Sequence, residues 1–225
     1  MTTELRLPDS LSLDDLHTFL ARATAVDDGA TRLIGGGGVL AAYVGVLAPA
    51  GLLDSSPTVL GLRTYALAAD ADPAPFDRVV ALRAMQERLT RLQNEVVDPT
   101  SPVAVPLPPA TVAASWAAIS PPRGGWSTVT SVESAQLEAT AKSGIDEVAR
   151  VIPEGTGEQI VHRVRSEVWS RPVEGADQVP AGAAFAALTL GFLAPDEAAR
   201  VFTAGAWTRL STSRGHVLVK RRGLL

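Results

Sequence analysis

The segment from Leu33 to Leu53 reads LIGGGGVLAAYVGVLAPAGLL, and it contains no charged side chain and four consecutive glycines. A run this apolar must be buried in a protein core or in a bilayer. Six of its 21 residues are glycine and one is Pro49, and Arg32 is the only cation near either end. Glycine and proline weaken a helix, and a membrane span needs anchors at its ends. The segment therefore predicts a buried pair of strands joined by a tight or bulged glycine turn, and no membrane partner.

A nucleotide site is the alternative, because Gly36-x-Gly38-x-x-Ala41 satisfies the relaxed dinucleotide-binding fingerprint. That fingerprint requires a helix after the glycines, whose N-terminal N–H groups hold the pyrophosphate. Here the run from Val39 to Leu47 is rich in valine, which favours a strand. The fingerprint also requires an acidic residue at the end of the next strand, and Asp54 comes before that strand. The glycines are therefore better explained by a hairpin.

Residues 1–98 predict an antiparallel sheet with two helices. Apolar residues at helical spacing mark helices over 12–26 and from Leu82 to Val96. Strands are expected at 30–34, 39–47 and 58–67 and from Phe76. Five prolines between Pro99 and Pro109 then predict an extended connector over residues 99–110, because proline fits neither a helix interior nor a central strand.

Residues 111–225 predict a mainly helical region that ends in a β-hairpin. Helical spacing is found from Leu137 to Ile152 and again after Thr156, and the stretch AGAAFAALTLGFL from Ala181 is apolar nearly all round. Pro195 is expected to begin a short helix that ends at Gly205. Strand-like residues on both sides of Ser213-Arg214-Gly215 complete the prediction with a terminal hairpin. The expected fold class is thus α+β, with an N-terminal sheet domain, a connector and a helical region.

Charge is unevenly distributed along the chain. The formal net charge is −4, yet residues 196–225 carry six basic and two acidic side chains. Helices followed by a hairpin are the order of a winged helix, whose wing contacts phosphates. The candidate nucleic-acid residues on or near that wing are Arg209, Arg214, Lys220, Arg221 and Arg222. Against this, the would-be recognition helix presents Asp196 and Glu197, and Arg200 is its only base reader.

The string SPPRGGW is a candidate anion-binding loop. Arg123, Gly124 and Gly125 would supply a guanidinium and free backbone donors to a carboxylate or phosphate. The string STSRGH repeats the arginine–glycine turn, so Arg214 and His216 are further anion candidates. In the structural alternative, Trp126 packs into the core, the glycines form its turn, and Arg123 is solvated or ion-paired.

No catalytic, metal or cofactor signature is found, and we expect none of these groups. The chain has no cysteine, and its three histidines do not pair at a ligand spacing. The nucleophile-elbow and P-loop patterns are absent. We therefore expect a non-catalytic binding protein with a protein partner or a homodimer. An enzyme or nucleotide binder whose site assembles only in three dimensions stays open.

Four strings together resemble a family of actinobacterial proteins: PTVLGLRTYAL, SPPRGGW, PAGAAFAALTLGFL and WTRLSTSRGHVLVKR. Arginine dominates the basic residues, which is typical of such high-GC genomes. The resemblance implies a cytoplasmic actinobacterial setting, which agrees with the lack of cysteine and of a secretory signal. It implies no activity, because its motifs are apolar and turn-forming.

Overall fold

The computed structural model describes residues 4–49, 51, 54, 56–69, 75–151 and 157–221, with the side chain of Glu158 left out. The chain divides into two compact units. Unit 1 comprises Met1–Gly45 and Leu62–Ala118, and unit 2 comprises Val46–Gly61 and Ile119–Leu225. Each unit is therefore built from two separate stretches of the chain.

Unit 1 contains a sheet with the strand order β5-β2-β3-β4, two helices and a small two-stranded sheet, β1-β6. The end of β3 and the start of β4 belong to unit 2. Strand β2 is antiparallel to both β3 and β5. The elements are β1 (Glu4–Leu7), α1 (Ser10–Val26), β2 (Ala30–Gly36), β3 (Val39–Leu47), β4 (Thr58–Ala66), β5 (Phe76–Ala81), α2 (Leu82–Glu95), β6 (Val103–Pro106) and a short 3₁₀ turn (Ser115–Ala118).

The glycine run forms the β2–β3 hairpin. Gly36 lies opposite Val39 in the ladder, so Gly37 and Gly38 form a two-residue turn. Their φ angles are +59° and +76°, a conformation that suits glycine and matches the twist of a hairpin. Because a strand rather than a helix follows the turn, the arrangement that holds a dinucleotide is absent here.

Helices α1 and α2 bury the apolar stripes expected of them. Leu13, Leu16 and Phe19 of α1 are fully buried. Helix α1 begins two residues before the predicted start, because Asp9 rather than Ser12 caps it: the backbone N–H of Ser12 donates to Asp9 Oδ1 at 2.7 Å.

The segment after β6 lies beside the outer edge of β5. The backbone N–H of Val112 donates to the carbonyl of Val79 at 3.0 Å. Arg32 of β2 donates a hydrogen bond of 2.8 Å to the carbonyl of Ala117. It also donates two hydrogen bonds, of 2.8 and 2.6 Å, to the carboxylate of Asp77. The chain thus covers this sheet edge of unit 1, as edge strands commonly require.

Unit 2 contains a sheet with the strand order β4-β12-β11-β10-β7, three helices and the β8-β9 hairpin. Strand β10 is antiparallel to both β7 and β11, and β11 is antiparallel to β12. The elements are β7 (Ser127–Glu133), α3 (Ser134–Val151), α4 (Glu158–Ser170), β8 (Pro172–Val173), β9 (Ala176–Pro180), α5 (Ala181–Thr189), β10 (Ala198–Ala204), β11 (Trp207–Ser211) and β12 (His216–Lys220).

The predicted fold class was wrong, because the second half is not mainly helical. The segment expected to be a short helix ending at Gly205 is strand β10, and β7, β8 and β9 were not predicted. Asp196 adopts a φ of +58°, which breaks a helix before it can propagate. Beyond it, Ala199 and Val201 are fully buried while Arg200 is exposed. That alternation of period two is typical of a strand.

The helices of unit 2 pack closely because small residues lie where they meet. The ring of Trp169 on α4 stacks on Phe185 of α5, with centroids 4.5 Å apart. The same Trp169 ring lies against Gly144 of α3, where a Cβ would come within 2.5 Å of it. Glycine at position 144 is therefore required by the close approach of an aromatic ring.

Candidate functional site

The sheet of unit 2 has a buried face and a second face rich in cations and aromatic rings. Ala199, Val201, Leu210, Val217 and Val219 point into the core and are at most 1% exposed. Alternate residues of the same strands point to the opposite side. We call these the basic sheet face: Arg200, Phe202, Trp207, Arg209, Ser211, His216, Leu218 and Lys220.

Strand pairing places these residues in rows across the sheet. In one row, Arg200 lies opposite Ser211 on β11 and opposite Ser131 on β7, and Ser211 lies opposite His216. In the next row, Phe202 lies opposite Arg209. Arg209 is therefore a diagonal neighbour of Arg200 on β10 and of His216 on β12, and Ser211 lies between Arg200 and His216.

The guanidinium of Arg209 lies close to two aromatic rings. Its Cζ is 4.6 Å from the ring centroid of Trp126 and 4.5 Å from that of Phe202. The Cζ of Arg200 lies 5.6 Å from the Phe202 centroid. A cation over a ring face is attracted by the ring quadrupole, so the rings fix where the Arg209 charge is held.

Neither arginine forms an ion pair with a carboxylate of the described chain. The Nε of Arg209 is buried and has no hydrogen-bond acceptor there. Burial, and then the charge of Arg200, lowers the pKa of Arg209 from its ordinary value. Both causes disfavour a positive charge, and no carboxylate of the described chain offsets them.

His216 completes the cluster. Its Nδ1 shares a hydrogen bond of 2.9 Å with Ser211 Oγ. Burial, followed by the charges of Arg209 and Arg200, lowers the pKa of His216 below its usual 6.5. The imidazole is therefore neutral at pH 7, and it can donate or accept one hydrogen bond without adding charge.

Lys220 and Arg221, predicted as nucleic-acid contacts, lie at the far end of β12. Lys220 Nζ is 6.0 Å from the ring centroid of Trp207 on the basic sheet face. Arg221 donates from its guanidinium to the carbonyl of Asp177. Arg222 lies outside the described residues.

Arg214 is held away from the cluster. It occupies the turn between β11 and β12, and its Nη1 donates to the carbonyl of Leu193 at 3.2 Å. The adjacent Gly215 lies against the ring of Phe192, where a Cβ would come within 2.5 Å of a ring carbon. The structure therefore shows Arg214 fastening this turn to the segment after α5, and its role toward anions stays a prediction.

The SPPRGGW loop is joined to the basic sheet face through its tryptophan. Trp126 Nε1 donates to the carbonyl of Pro122 at 3.0 Å, which closes the loop. Gly125 has a φ of +76°, which explains the glycine there, and Gly124 is exposed. The Trp126 ring is only half-buried and lies on Arg209 rather than inside the core. Arg123 is exposed, and its predicted anion contact stays a prediction.

The sequence singled out Arg209 for its charge and His216 for the repeated arginine–glycine turn, but it gave no reason to place Phe202 or Trp126 beside them. Arg200 had been considered only as a base reader on a recognition helix, and that helix does not exist because the residue lies on β10. The winged-helix interpretation therefore lacks the helix that would read the DNA bases. The signal that could have found the cluster is the period-two alternation of RVF with WTRLS and HVLVK.

Other features of the described chain give weaker support for a functional site. A shallow cleft of about 450 Å³ on unit 1 is lined by His17, Arg83, Gln86, Glu87 and Thr90. Across the ranges that the structure describes, no three His, Asp or Glu side chains cluster as metal ligands would. No helix in those ranges combines the length and the apolar character needed to cross a bilayer.

Two family models match the sequence, one in each half. Residues 1–108 match a domain of unknown function (DUF8010), and residues 121–224 match another domain of unknown function (DUF8185). No protein of curated function matches the chain.

The fold is similar to solved structures of the beta subunit of DNA polymerase III. The Caulobacter crescentus protein is 13% identical, with a TM-score of 0.52 over 98% of this chain and 66% of that one. The Borrelia burgdorferi protein, solved with a natural product, is 7% identical, with a TM-score of 0.54 over 99% and 65%. The Pseudomonas aeruginosa protein is 11% identical, with a TM-score of 0.50 over 100% and 66%.

These likenesses concern the fold alone, since the identities are so low. The chain spans 65–66% of the length of the three proteins. Its arrangement of strands and helices matches the fold of the DNA polymerase III beta sliding clamp, which replaces the predicted mainly helical second half.

Proposed function

We propose that this protein is a non-catalytic scaffold of the sliding-clamp type, which binds protein partners and pairs with a second copy of itself. The observation that carries the proposal is the similarity of fold to DNA polymerase III beta subunits over 98–99% of the chain. A fold hosts many functions, so the proposal rests on analogy until a surface supports it. The outer edge of β7 is the surface that fits self-association.

Strand β7 ends the strand order of unit 2. Its inner edge is hydrogen-bonded to β10, and no described residue makes a main-chain hydrogen bond to its outer edge. Val129 on this strand is 50% exposed, and Ser127, Thr128 and Ser131 are exposed as well. An open edge with an apolar side chain can pair with another strand, here the β7 strand of a second copy.

The mass of the protein in solution tests this proposal. Sedimentation equilibrium of the full chain is expected to give twice the monomer mass of 23.4 kDa. Val129→Lys places a charge on the open edge and is expected to shift the equilibrium to monomer, weakening the dimer about tenfold or more. Val97→Lys is the matched control, because Val97 is 96% exposed in a loop after α2.

A monomeric wild-type chain at high micromolar concentration would contradict self-pairing. A dimer that survives V129K but not V97K would place the interface elsewhere than β7. Circular dichroism of both variants shows whether each keeps its fold, so that a loss of dimer is not mistaken for unfolding.

Contact with nucleic acid is a second candidate, favoured by Lys220 at the end of β12 and Arg221 directly after it. Lys220→Gln with Arg221→Gln is expected to weaken retardation of duplex DNA in a gel at low salt. The salt slope of the affinity should also fall, because fewer counterions are released. Retardation that is unchanged in the double variant would rule out β12 as the contact, and a wild-type chain that retards no DNA would end this candidate.

The setting belongs to the same proposal. An actinobacterial source is supported by the arginine-dominated basic residues, and a cytoplasmic location by the lack of cysteine. We assign no reaction to the chain.

A further inference from the structure

We infer that Arg200 and Arg209 on the basic sheet face bind the phosphoryl group of a phosphate-bearing ligand. This site goes beyond the proposed scaffold function, because it concerns a small anionic group and does not need the β7 edge. Its basis is the charge, the geometry and the surroundings of the two side chains.

Charge comes first. Two guanidinium groups lie around the ring of Phe202, at 4.5 and 5.6 Å from its centroid. Guanidinium groups stay protonated in proteins, so the two charges repel each other whatever the pH. No carboxylate of the described chain offsets them. A paired set of cations that are partly removed from water is stabilised when an anion binds between them.

The terminal N–H groups of Arg209 are the donors that such an anion would use. The Cζ of Arg209 lies over the rings of Trp126 and Phe202, at 4.6 and 4.5 Å from their centroids. A guanidinium presents its donors as a planar fork, which suits the oxygen atoms of a phosphate. Nε is buried and has no acceptor in the described chain, so the terminal N–H groups are the donors that an anion would reach.

Neutral donors lie in the neighbouring row. Ser211 lies directly opposite Arg200, and His216 shares a hydrogen bond with its hydroxyl. A phosphoryl group presents three or more oxygens, and two guanidinium groups with a hydroxyl or imidazole match that number of acceptors better than they match a carboxylate.

The nearest acids do not occupy the site. Glu133 lies on β7 opposite Ala198, next to Arg200 on the neighbouring strand, and forms no ion pair with it. Glu197 is engaged at the β11–β12 turn, where it accepts hydrogen bonds of 2.6 and 2.9 Å from the backbone and side chain of Ser213. The described chain therefore supplies no carboxylate to Arg200 or Arg209.

Titration of the full chain with pyrophosphate, followed by tryptophan fluorescence and calorimetry, tests the inference. Trp126 lies on Arg209, so its emission should change on binding. Arg200→Gln removes an exposed charge and is expected to weaken binding about tenfold or more. Arg209→Met keeps apolar bulk beside the rings and should also weaken binding about tenfold or more. Arg163→Gln, an exposed arginine on α4, is the matched control and should bind like wild type.

A second probe, a single-stranded oligodeoxynucleotide, separates the two sources of a phosphoryl group. Tighter binding of the oligonucleotide than of pyrophosphate, with both lost in R200Q, would assign the site to a nucleic-acid backbone, whereas the reverse order would assign it to a small phosphate ligand. The inference is overturned if neither probe binds wild type more tightly than R200Q. It is also overturned if R163Q weakens binding as much, or if Arg123→Gln abolishes binding while R200Q does not.

Discussion

At the scale of single residues, the pKa of His216 responds to the charges of the two arginines near it. Its pKa is lowered by burial and by Arg209 and Arg200, so the folded state resists a proton that the unfolded state accepts below about pH 6.5. Stability should therefore fall as the pH drops from 6.5 toward the folded pKa, by less than about 1.4 kcal/mol per pH unit, the limit for one proton.

Urea unfolding at pH 7.5 and 5.5 measures this effect. His216→Asn is expected to flatten the loss of stability between the two values, because the titrating group is gone. An equal slope in wild type and H216N would show that other groups cause the pH dependence.

The residues of the candidate site were only partly predictable. Arg209 is visible in the sequence as a cation in a basic terminal segment, and His216 is visible through the repeated arginine–glycine turn. Trp126 belongs to a distant loop, and only the pairing of β7, β10 and β11 brings that loop to Arg209. No local pattern encodes such a contact, because it depends on which strands are neighbours.

At the scale of elements, the close approach of α3 and Trp169 predicts that position 144 does not tolerate a side chain. Alanine is the better helix former by about 1 kcal/mol, so a solvent-facing glycine would gain from the change. Here the new Cβ would lie 2.5 Å from Trp169 Cζ3, and overpacking costs about 1–3 kcal/mol. Gly144→Ala should therefore lower the free energy of unfolding by up to about 2 kcal/mol.

A second substitution distinguishes this clash from other causes. Trp169→Phe removes the crowding ring atoms and an indole N–H that lacks a hydrogen-bond partner. In the double variant, Gly144→Ala should cost less than it costs alone, which a double-mutant cycle in urea measures. Strict additivity would mean that the ring is not the obstacle.

Helices were more predictable than strands for a physical reason. The apolar stripes of α1, α2 and α3 repeat within one segment and can be recognised locally. Strand β10 contains Ala198 and Ala199, which favour a helix on their own, and it becomes a strand because β7 and β11 pair with it on both sides. Partners from elsewhere in the chain outweighed local preference.

At the scale of the whole molecule, the division into units predicts how fragments behave. Unit 2 includes Val46–Gly61, so a fragment of residues 119–225 lacks part of its own unit. The missing stretch contains Val59 and Leu60, which are 0% and 1% exposed. We expect the fragment to melt at least about 10 °C below the full chain in circular dichroism, since several kcal/mol of burial are lost.

A fusion of residues 46–61 to the same fragment through a Gly/Ser linker should recover most of the melting temperature. A fragment 119–225 that melts as cooperatively and at the same temperature as the full chain would contradict the division. This discontinuity was not visible in the sequence, where the proline-rich segment is the only marked break.

The two ends of the strand order are not alike, and this sets how many copies can assemble through them. The chain shields β5 with its own main chain at Val112, whereas no residue in the described ranges makes a main-chain hydrogen bond to the far side of β7. Strand-to-strand growth needs two adhesive edges per molecule, as in a fibril. Union of two β7 strands uses up this edge in both copies, so association through it stops at two copies and cannot continue as a polymer.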